Sequence, residues 1–269
     1  MKKRKIDIDI HDFPTKLHPY LQSGEIYDSS SSPEAQTLYC TRGFYIKIAP
    51  VGALAEEARL CKRFYSMGLG VEVMHYISED RDYFVTRSAL GEDLTHFLDS
   101  PKLLCKVLAD ALRTLHSQSV ENIPVSSQFR SFLELTSREF DRVSYDDSMQ
   151  IGRFRIESKE QAWEIIQNNK DKLKPTTLIH GDACLPNILC HEGSFSTFID
   201  LGQAGTGDRH MDLYWAIWSL EYNLKTDGYT DDFLDQYGRK NIDFELLKEN
   251  PSMMAFSAKY RKEKLGGVV

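Results

Sequence analysis

The segment from His180 to Gly202 constrains this chain more than any other. A short apolar run, Thr177-Leu-Ile179, leads into His180-Gly-Asp-Ala-Cys-Leu-Pro-Asn187. A second run, Ser196-Thr-Phe-Ile, ends in Asp200-Leu-Gly202. Both runs read as strands, since each is too short for a helix and rich in branched or aromatic residues. Gly181 and Gly202 permit the tight turns that aim the side chains beside them. Asp182 then stands on a loop, where a carboxylate can accept a hydroxyl proton. Asn187, five residues on, offers an amide oxygen, and Asp200 offers a second carboxylate. Magnesium takes hard oxygen ligands of this kind and completes its shell with water and phosphate. A positioned hydroxyl, a proton acceptor and magnesium are what phosphoryl transfer from ATP requires. A hydrolase built on paired carboxylates leaves the asparagine spacing unexplained.

Composition narrows the context. The chain has 269 residues, long for one simple core and suited to two packed lobes. No apolar stretch approaches the roughly 18 residues of a membrane helix, so no membrane association is expected. Met1-Lys-Lys-Arg-Lys5 is basic, but Ile-Asp-Ile-Asp-Ile-His-Asp follows it, which gives no secretion signal. The five cysteines are scattered and form no Cys-x-x-Cys pair, so reduced thiols in a cytoplasmic protein are expected, without zinc. A net charge of -7 argues against a nucleic-acid partner and is compatible with a cationic substrate.

The pattern along the chain changes once. Gly24–Asp28, Ala35–Cys40, Gly43–Ile48, Val71–Tyr76 and Asp82–Thr86 read as strands, with a helix over Leu54–Met67 between the third and fourth. The serine run Ser29–Ser32 reads as a hairpin loop. After Gly91, helices are expected over Leu103–Ser117, Ser131–Val143, Glu157–Leu173 and Asp212–Leu224, with another starting at Asp231. The expected fold is therefore α+β, with a β-rich lobe over residues 1–88 and a mainly helical lobe over residues 89–269.

Protein kinases place an aspartate, an asparagine five residues later and then Asp-Phe-Gly on the next strand. Here the motifs are His-Gly-Asp and Asp-Leu-Gly, which point away from protein kinases. With Ala204-Gly-x-Gly-Asp-Arg-x-x-Asp212 and Leu108-Ala-Asp-Ala-Leu-Arg-x-Leu-His116, they resemble the aminoglycoside phosphotransferase family, the 3'-phosphotransferases in particular. Matches at compatible spacing run from about residue 24 to about residue 240.

That resemblance implies a two-lobed protein-kinase-like fold and an ATP- or GTP-dependent, magnesium-dependent kinase of a cationic aminoglycoside. It implies Asp182 as the catalytic base, and Asn187 and Asp200 as magnesium ligands. It makes residues 1–88 the nucleotide-binding lobe, with Lys47 on the α- and β-phosphates and Glu57 pairing with that lysine. Glu56 is the adjacent alternative to Glu57. Ser32, with Pro33, matches a phosphate-meeting loop, and Ala89 matches the hinge whose backbone meets adenine. Acids for a polycation are offered by Asp146, Asp147, Glu157, Glu160 and Glu221.

Other residues read differently. His180 pins its loop by hydrogen bonds, Cys184 and Cys190 are packing residues, and Asp208 and Asp212 brace the loop and cap the next helix. Trp215 and Trp218 belong to the core or to a cleft wall. Family members carry arginine where this chain has Gln203, and commonly arginine at Trp218. They commonly end in an acidic tail, whereas this chain ends in a basic one after Ala255. Kinases of choline, homoserine, a macrolide or a sugar remain open, as does a nucleotide-binding module without catalysis.

Overall fold

The structure, a computed structural model, describes residues 4–31, 33–147 and 150–256. The chain divides after Ala89 into two compact units.

Strand pairing builds the first unit. Its elements are β1 (Arg4–Ile6), α1 (His18–Leu21), β2 (Ile26–Asp28), β3 (Gln36–Cys40), β4 (Phe44–Ala49), α2 (Ala55–Ser66), β5 (Val73–Ser78) and β6 (Asp82–Arg87). One antiparallel sheet results, in the order β1-β2-β3-β4-β6-β5. Alternation along β3 and β4 sends Leu38, Cys40, Ile46 and Ile48 to one face, where they join Ile77, Tyr83 and Val85. Ile6, Ile8 and Ile10 cover the same cluster from the segment that precedes α1. The sequence showed these isoleucines only as too polar a neighbourhood for a signal peptide; their period of two is what matters. At the far edge, buried Asp82 accepts from Leu54 N at 2.9 Å and Ser78 Oγ at 2.6 Å, fixing α2 to the sheet.

The second unit contains β7 (Glu92–Asp93), α3 (Pro101–His116), α4 (Ser127–Thr136), α5 (Lys159–Asn169), β8 (Thr177–Ile179), β9 (Ile188–His191), β10 (Ser194–Phe198) and β11 (Gly205–Gly207). Then follow α6 (Arg209–Leu224), α7 (Thr230–Tyr237) and α8 (Glu249–Phe256). β9 lies between β10 and β7, and β11 pairs with β8. The α+β class expected from the sequence is therefore present, with strands dominating the first unit and helices the second. None of the helices in the described residues is long and apolar enough to cross a membrane.

The face Leu104, Val107, Leu108, Ala111, Leu112 and Leu115 of α3 is buried as its spacing predicts. Several helix ends differ from expectation, among them that of α5, which stops at Asn169 and not Leu173; two starts differ for identifiable reasons. α4 begins at Ser127 and not Ser131, because the Ser126 hydroxyl accepts from Phe129 N at 3.0 Å. It stops at Thr136, and a separate single turn covers Phe140–Arg142. α6 begins at Arg209 and not Asp212, because Asp208 caps it through His210 N. That moves Asp212 into the first helical turn.

α8 carries a buried carboxylate. Glu249 is 1 % exposed, and its two oxygens make no hydrogen bond of good geometry among the described residues. Burial pushes its pKa up to about 8, and Asn169 and the Lys172 ammonium offset this only in part. The folded state thus holds a proton that the unfolded chain releases near its ordinary value of 4.5. Stability from this group is complete below about 4.5 and is lost as pH rises through about 8. Glu249→Gln should flatten the fall in melting temperature over that window. A wild-type slope retained in the variant would show that Glu249 does not titrate there.

Candidate active site

The segment His180–Asp200 is held by hydrogen bonds from several elements of the second unit. β8 delivers His180, which is fully buried. Its Nε2 lies 2.9 Å from the Ile199 carbonyl and its Nδ1 accepts from Asp182 N at 3.2 Å. Those partners require a proton on Nε2 and a free pair on Nδ1, which is the neutral imidazole. The ring therefore ties the loop to the residue before Asp200, the pinning role expected from the sequence. Gly181 has φ of 80°, and a Cβ there would fall 2.3 Å from the Gln203 carbonyl, so only glycine fits.

Asp212 clamps the same loop from α6. Its side chain is fully buried, with Oδ2 accepting from His180 N and Oδ1 from Gly181 N, both at 2.8 Å. His116, the last residue of α3, sets Nε2 3.2 Å from Asp212 Oδ2 and Nδ1 2.8 Å from the Tyr237 hydroxyl of α7. Two main-chain N–H groups and an imidazole engage both oxygens of this carboxylate, which is how a buried polar group is tolerated. Gln128 of α4 adds a bridge: with its amide oriented to satisfy both, it donates to the Gly181 carbonyl at 3.1 Å and accepts from Trp215 Nε1. Ser219 Oγ of α6 accepts from Leu185 N at 3.0 Å. The sequence placed His116 in a helix motif without a task, and it gave no sign of Gln128, Ser219 or Tyr237. A histidine closing an apolar helix face was the one available signal for His116.

Asn187 lies on a single turn over Leu185–Asn187 and donates from Nδ2 to the Asp182 carbonyl at 2.9 Å. Its own carbonyl accepts from Ile199 N at 3.0 Å. Asp182 and Asn187 are thus bonded to each other, and Asn187 is bonded to the residue preceding Asp200. Asp200 does not close β10 as expected. It stands two residues beyond Phe198 in the left-handed region, φ 57° and ψ 59°, and is exposed. Asn187 and Asp200 offer hard oxygen donors of the kind magnesium takes. Among the described residues no cluster of three or more His, Cys, Asp or Glu could hold a metal alone. The donor set therefore fits a cation whose remaining ligands come from phosphate and water. Burial holds the Cys184 thiol well above its ordinary pKa, with the Asp182 charge adding to it, so this sulfur is no thiolate nucleophile.

In the first unit, Lys47 Nζ meets Glu57 Oε1 at 3.1 Å and Oε2 at 2.9 Å. The sequence left Glu56 as the alternative; the pair seen is with Glu57. Both partners are largely shielded, with side chains 24 % and 9 % exposed, so the lysine is positioned and not freely solvated. Glu57 also lies in the first turn of α2, where a carboxylate suits the helix dipole. Ala89 ends this unit, next to Ser88, whose N–H donates to the Gly43 carbonyl at 2.9 Å. Ser32 lies outside the described residues, as does the basic tail after Phe256.

The acids offered for a cationic substrate divide into two groups. Asp147, Glu157 and Glu160 are exposed and Asp146 is partly so. Glu221 differs: it is 6 % exposed, accepts from Thr230 Oγ1 at 2.7 Å and receives Arg153 N at 3.3 Å. Burial raises its pKa. A Cβ on Gly152, where φ is 68°, would fall 1.5 Å from its Oε2. Glu221 therefore ties the 152–153 turn to α7, and both its oxygens are engaged inside the chain.

Comparison with known proteins gives the family and the fold. The profile of the phosphotransferase enzyme family matches residues 31–249. A probable aminoglycoside 3'-phosphotransferase of Lactococcus lactis subsp. lactis (strain IL1403) is 39% identical over 250 residues, covering 91% of this chain and 95% of the relative. Among solved structures, the aminoglycoside phosphotransferase APH(3'')-Id of Streptomyces rimosus ATCC10970, in complex with ADP and streptomycin, aligns with a TM-score of 0.66. It is 19% identical, over 92% of this chain and 99% of that one. A thermostable mutant of the aminoglycoside phosphotransferase APH(4)-Ia, with AMP-PNP and hygromycin B, aligns with a TM-score of 0.62. It is 15% identical, over 90% of this chain and 89% of that one. The fold is that of these enzymes.

Proposed function

This chain belongs to the phosphotransferase enzyme family, and we propose that it moves the γ-phosphoryl group of ATP onto the 3'-hydroxyl of an aminoglycoside, inactivating the antibiotic in the cytoplasm. The observation that carries the reading is the Asn187 bond to the Asp182 carbonyl on a loop clamped by Asp212. That bond fixes a proton acceptor and an amide oxygen in one rigid turn. Support for the acceptor comes from the Lactococcus lactis relative, and support for the nucleotide from the ADP and AMP-PNP of the two solved structures.

In this reading the Asp182 carboxylate orients the acceptor hydroxyl and takes its proton as the new O–P bond forms. Asn187 and Asp200 would hold magnesium through their side-chain oxygens. Magnesium, when bound, would neutralise charge on the β- and γ-phosphates. Lys47 meets the α- and β-phosphates, held for that purpose by Glu57. The backbone at Ala89 bonds the purine, adenine or guanine, and Ser32 meets phosphate. Exposed Asp147, Glu157 and Glu160, with Asp146, attract the ammonium groups of the substrate, and Glu221 supports the turn they flank.

ADP release measured against kanamycin B, 3'-deoxykanamycin B, choline, homoserine, a macrolide and glucose tests this. Turnover of kanamycin B but not its 3'-deoxy analogue is expected. Turnover of choline, homoserine, macrolide or glucose alone would replace the acceptor, and tight ATP binding without turnover of any would replace catalysis by nucleotide binding. Asp200→Ala should abolish the magnesium dependence of ATP binding, followed by calorimetry with and without the ion. Equal magnesium dependence in variant and wild type would remove Asp200 from the metal site.

A further inference from the structure

β4 and β6 present two charged side chains to α2. In their register Ala49 stands opposite Asp82, and Lys47 opposite Phe84. Residues that face each other across a ladder, and residues two apart along a strand, share a sheet face. Lys47 and Asp82 therefore leave the sheet on one face, away from Ile46, Ile48, Tyr83 and Val85 in the apolar cluster on the other. The start of α2 meets both. Glu57 takes the Lys47 ammonium, and Leu54 N, three residues earlier, donates to Asp82 Oδ2 at 2.9 Å.

Asp82 sets where that helix begins. α2 has no side-chain cap of its own, because its N-cap position is Leu54. Residues 50–53, the link from β4, are exposed and offer no packing to hold the helix end. The carboxylate that a helix N-terminus favours comes instead from β6, 28 residues on. Asp82 is fully buried and is itself held: Oδ2 also accepts from the Tyr76 hydroxyl at 3.0 Å, and Oδ1 from Ser78 Oγ at 2.6 Å. Both hydroxyls belong to β5. From Leu54 to Glu57 the helix rises only about 4.5 Å, so the pinned residue and the paired one move together. A shift of that turn by about 1 Å would part Glu57 from Lys47, because a bond near 3 Å weakens steeply with distance.

We propose that Asp82 is a positioning residue for the phosphate-binding lysine: it pins the first turn of α2 to the sheet and so holds Glu57 on Lys47 as a fixed pair. Protein kinases are controlled by moving the corresponding helix and breaking the corresponding pair. A buried carboxylate at the helix start removes that freedom here, which suits an enzyme that is always on. The inference rests on Lys47 meeting the phosphates of ATP.

ATP binding to the full chain with magnesium, followed by calorimetry, tests the pin in a double-mutant cycle. Glu57→Ala and Asp82→Ala should each weaken ATP roughly tenfold. The double variant should bind no more weakly than Glu57→Ala alone, because Asp82 acts only through that glutamate. Asp82→Asn keeps an oxygen for Leu54 N and turns its amide to Ser78 Oγ, so it should lose no more than about threefold. A merely structural role gives a different pattern, since it lowers ATP affinity alike with and without Glu57. If Asp82→Ala does not fold, Tyr76→Phe combined with Ser78→Ala frees the carboxylate to turn and enters the same cycle. Wild-type ATP affinity in folded Asp82→Ala, losses that add in full, or an equal loss in Asp82→Asn would each overturn the pin. ATP affinity that depends on Glu57 and not on Asp82 removes the pin and leaves the phosphotransferase reading standing. ATP affinity indifferent to Lys47, Glu57 and Asp82 alike removes the phosphate role of the lysine, and the inference with it.

Discussion

Asp182→Asn should lower kcat for the acceptor by about 10²–10⁴-fold while KM for ATP and the melting temperature stay close to wild type. The substitution keeps size and shape while removing the negative charge and the ability to accept a proton. The loop does not depend on the carboxylate for its shape. Its main-chain atoms are held instead: Asp182 N by His180 Nδ1, the Asp182 carbonyl by Asn187, and the two residues before it by Asp212. A large loss of rate in a normally folded protein therefore reports chemistry. Turnover near wild type would take Asp182 out of the role of base and leave the acceptor hydroxyl to lose its proton to water.

Asp212→Ala should act on the fold itself. It strands two buried N–H groups and the His116 imidazole in the centre of the second unit. Each buried donor left without its acceptor costs about 1–3 kcal/mol, so three stranded groups make a loss of about 3–5 kcal/mol after partial relaxation. Urea unfolding should show a loss of that size with no change in the m-value. Activity at low temperature, where the variant still folds, should fall as well, since His180 and Gly181 would no longer fix the position of Asp182. A loss below about 1 kcal/mol would mean that water replaces the carboxylate and the clamp is dispensable.

How much of this was legible in the sequence depends on whether the signal was local. The buried face of α3 repeats along the chain and was visible, as was the strand and loop order from Thr177 to Asp200. Asp182 and Asn187 could be singled out because their spacing is itself the signal. The clamp could not be found in that way. His116 and Asp212 are 96 residues apart, and nothing in either neighbourhood names the other. Bracing the loop and capping the next helix were legible as the joint task of Asp208 and Asp212; the structure divides it, with Asp208 the cap and Asp212 the brace. Helical phase alone did not separate Glu56 from Glu57, because both fall in the first turn of α2 and only the direction of Lys47 from β4 decides. The resemblance offered Glu221 as an acid for a cationic substrate. Its burial depends on Gly152 and Thr230, which approach it from other parts of the chain.

The most direct measurement is the identification of the product formed from kanamycin B, ATP and magnesium by wild type and by Asp182→Asn. Phosphorus–proton correlation spectra should place a single phosphate on the 3'-oxygen for the wild type and show no product for the variant over the same time. Unmodified kanamycin B with wild type, or equal product with both proteins, would contradict an Asp182-dependent aminoglycoside phosphotransferase.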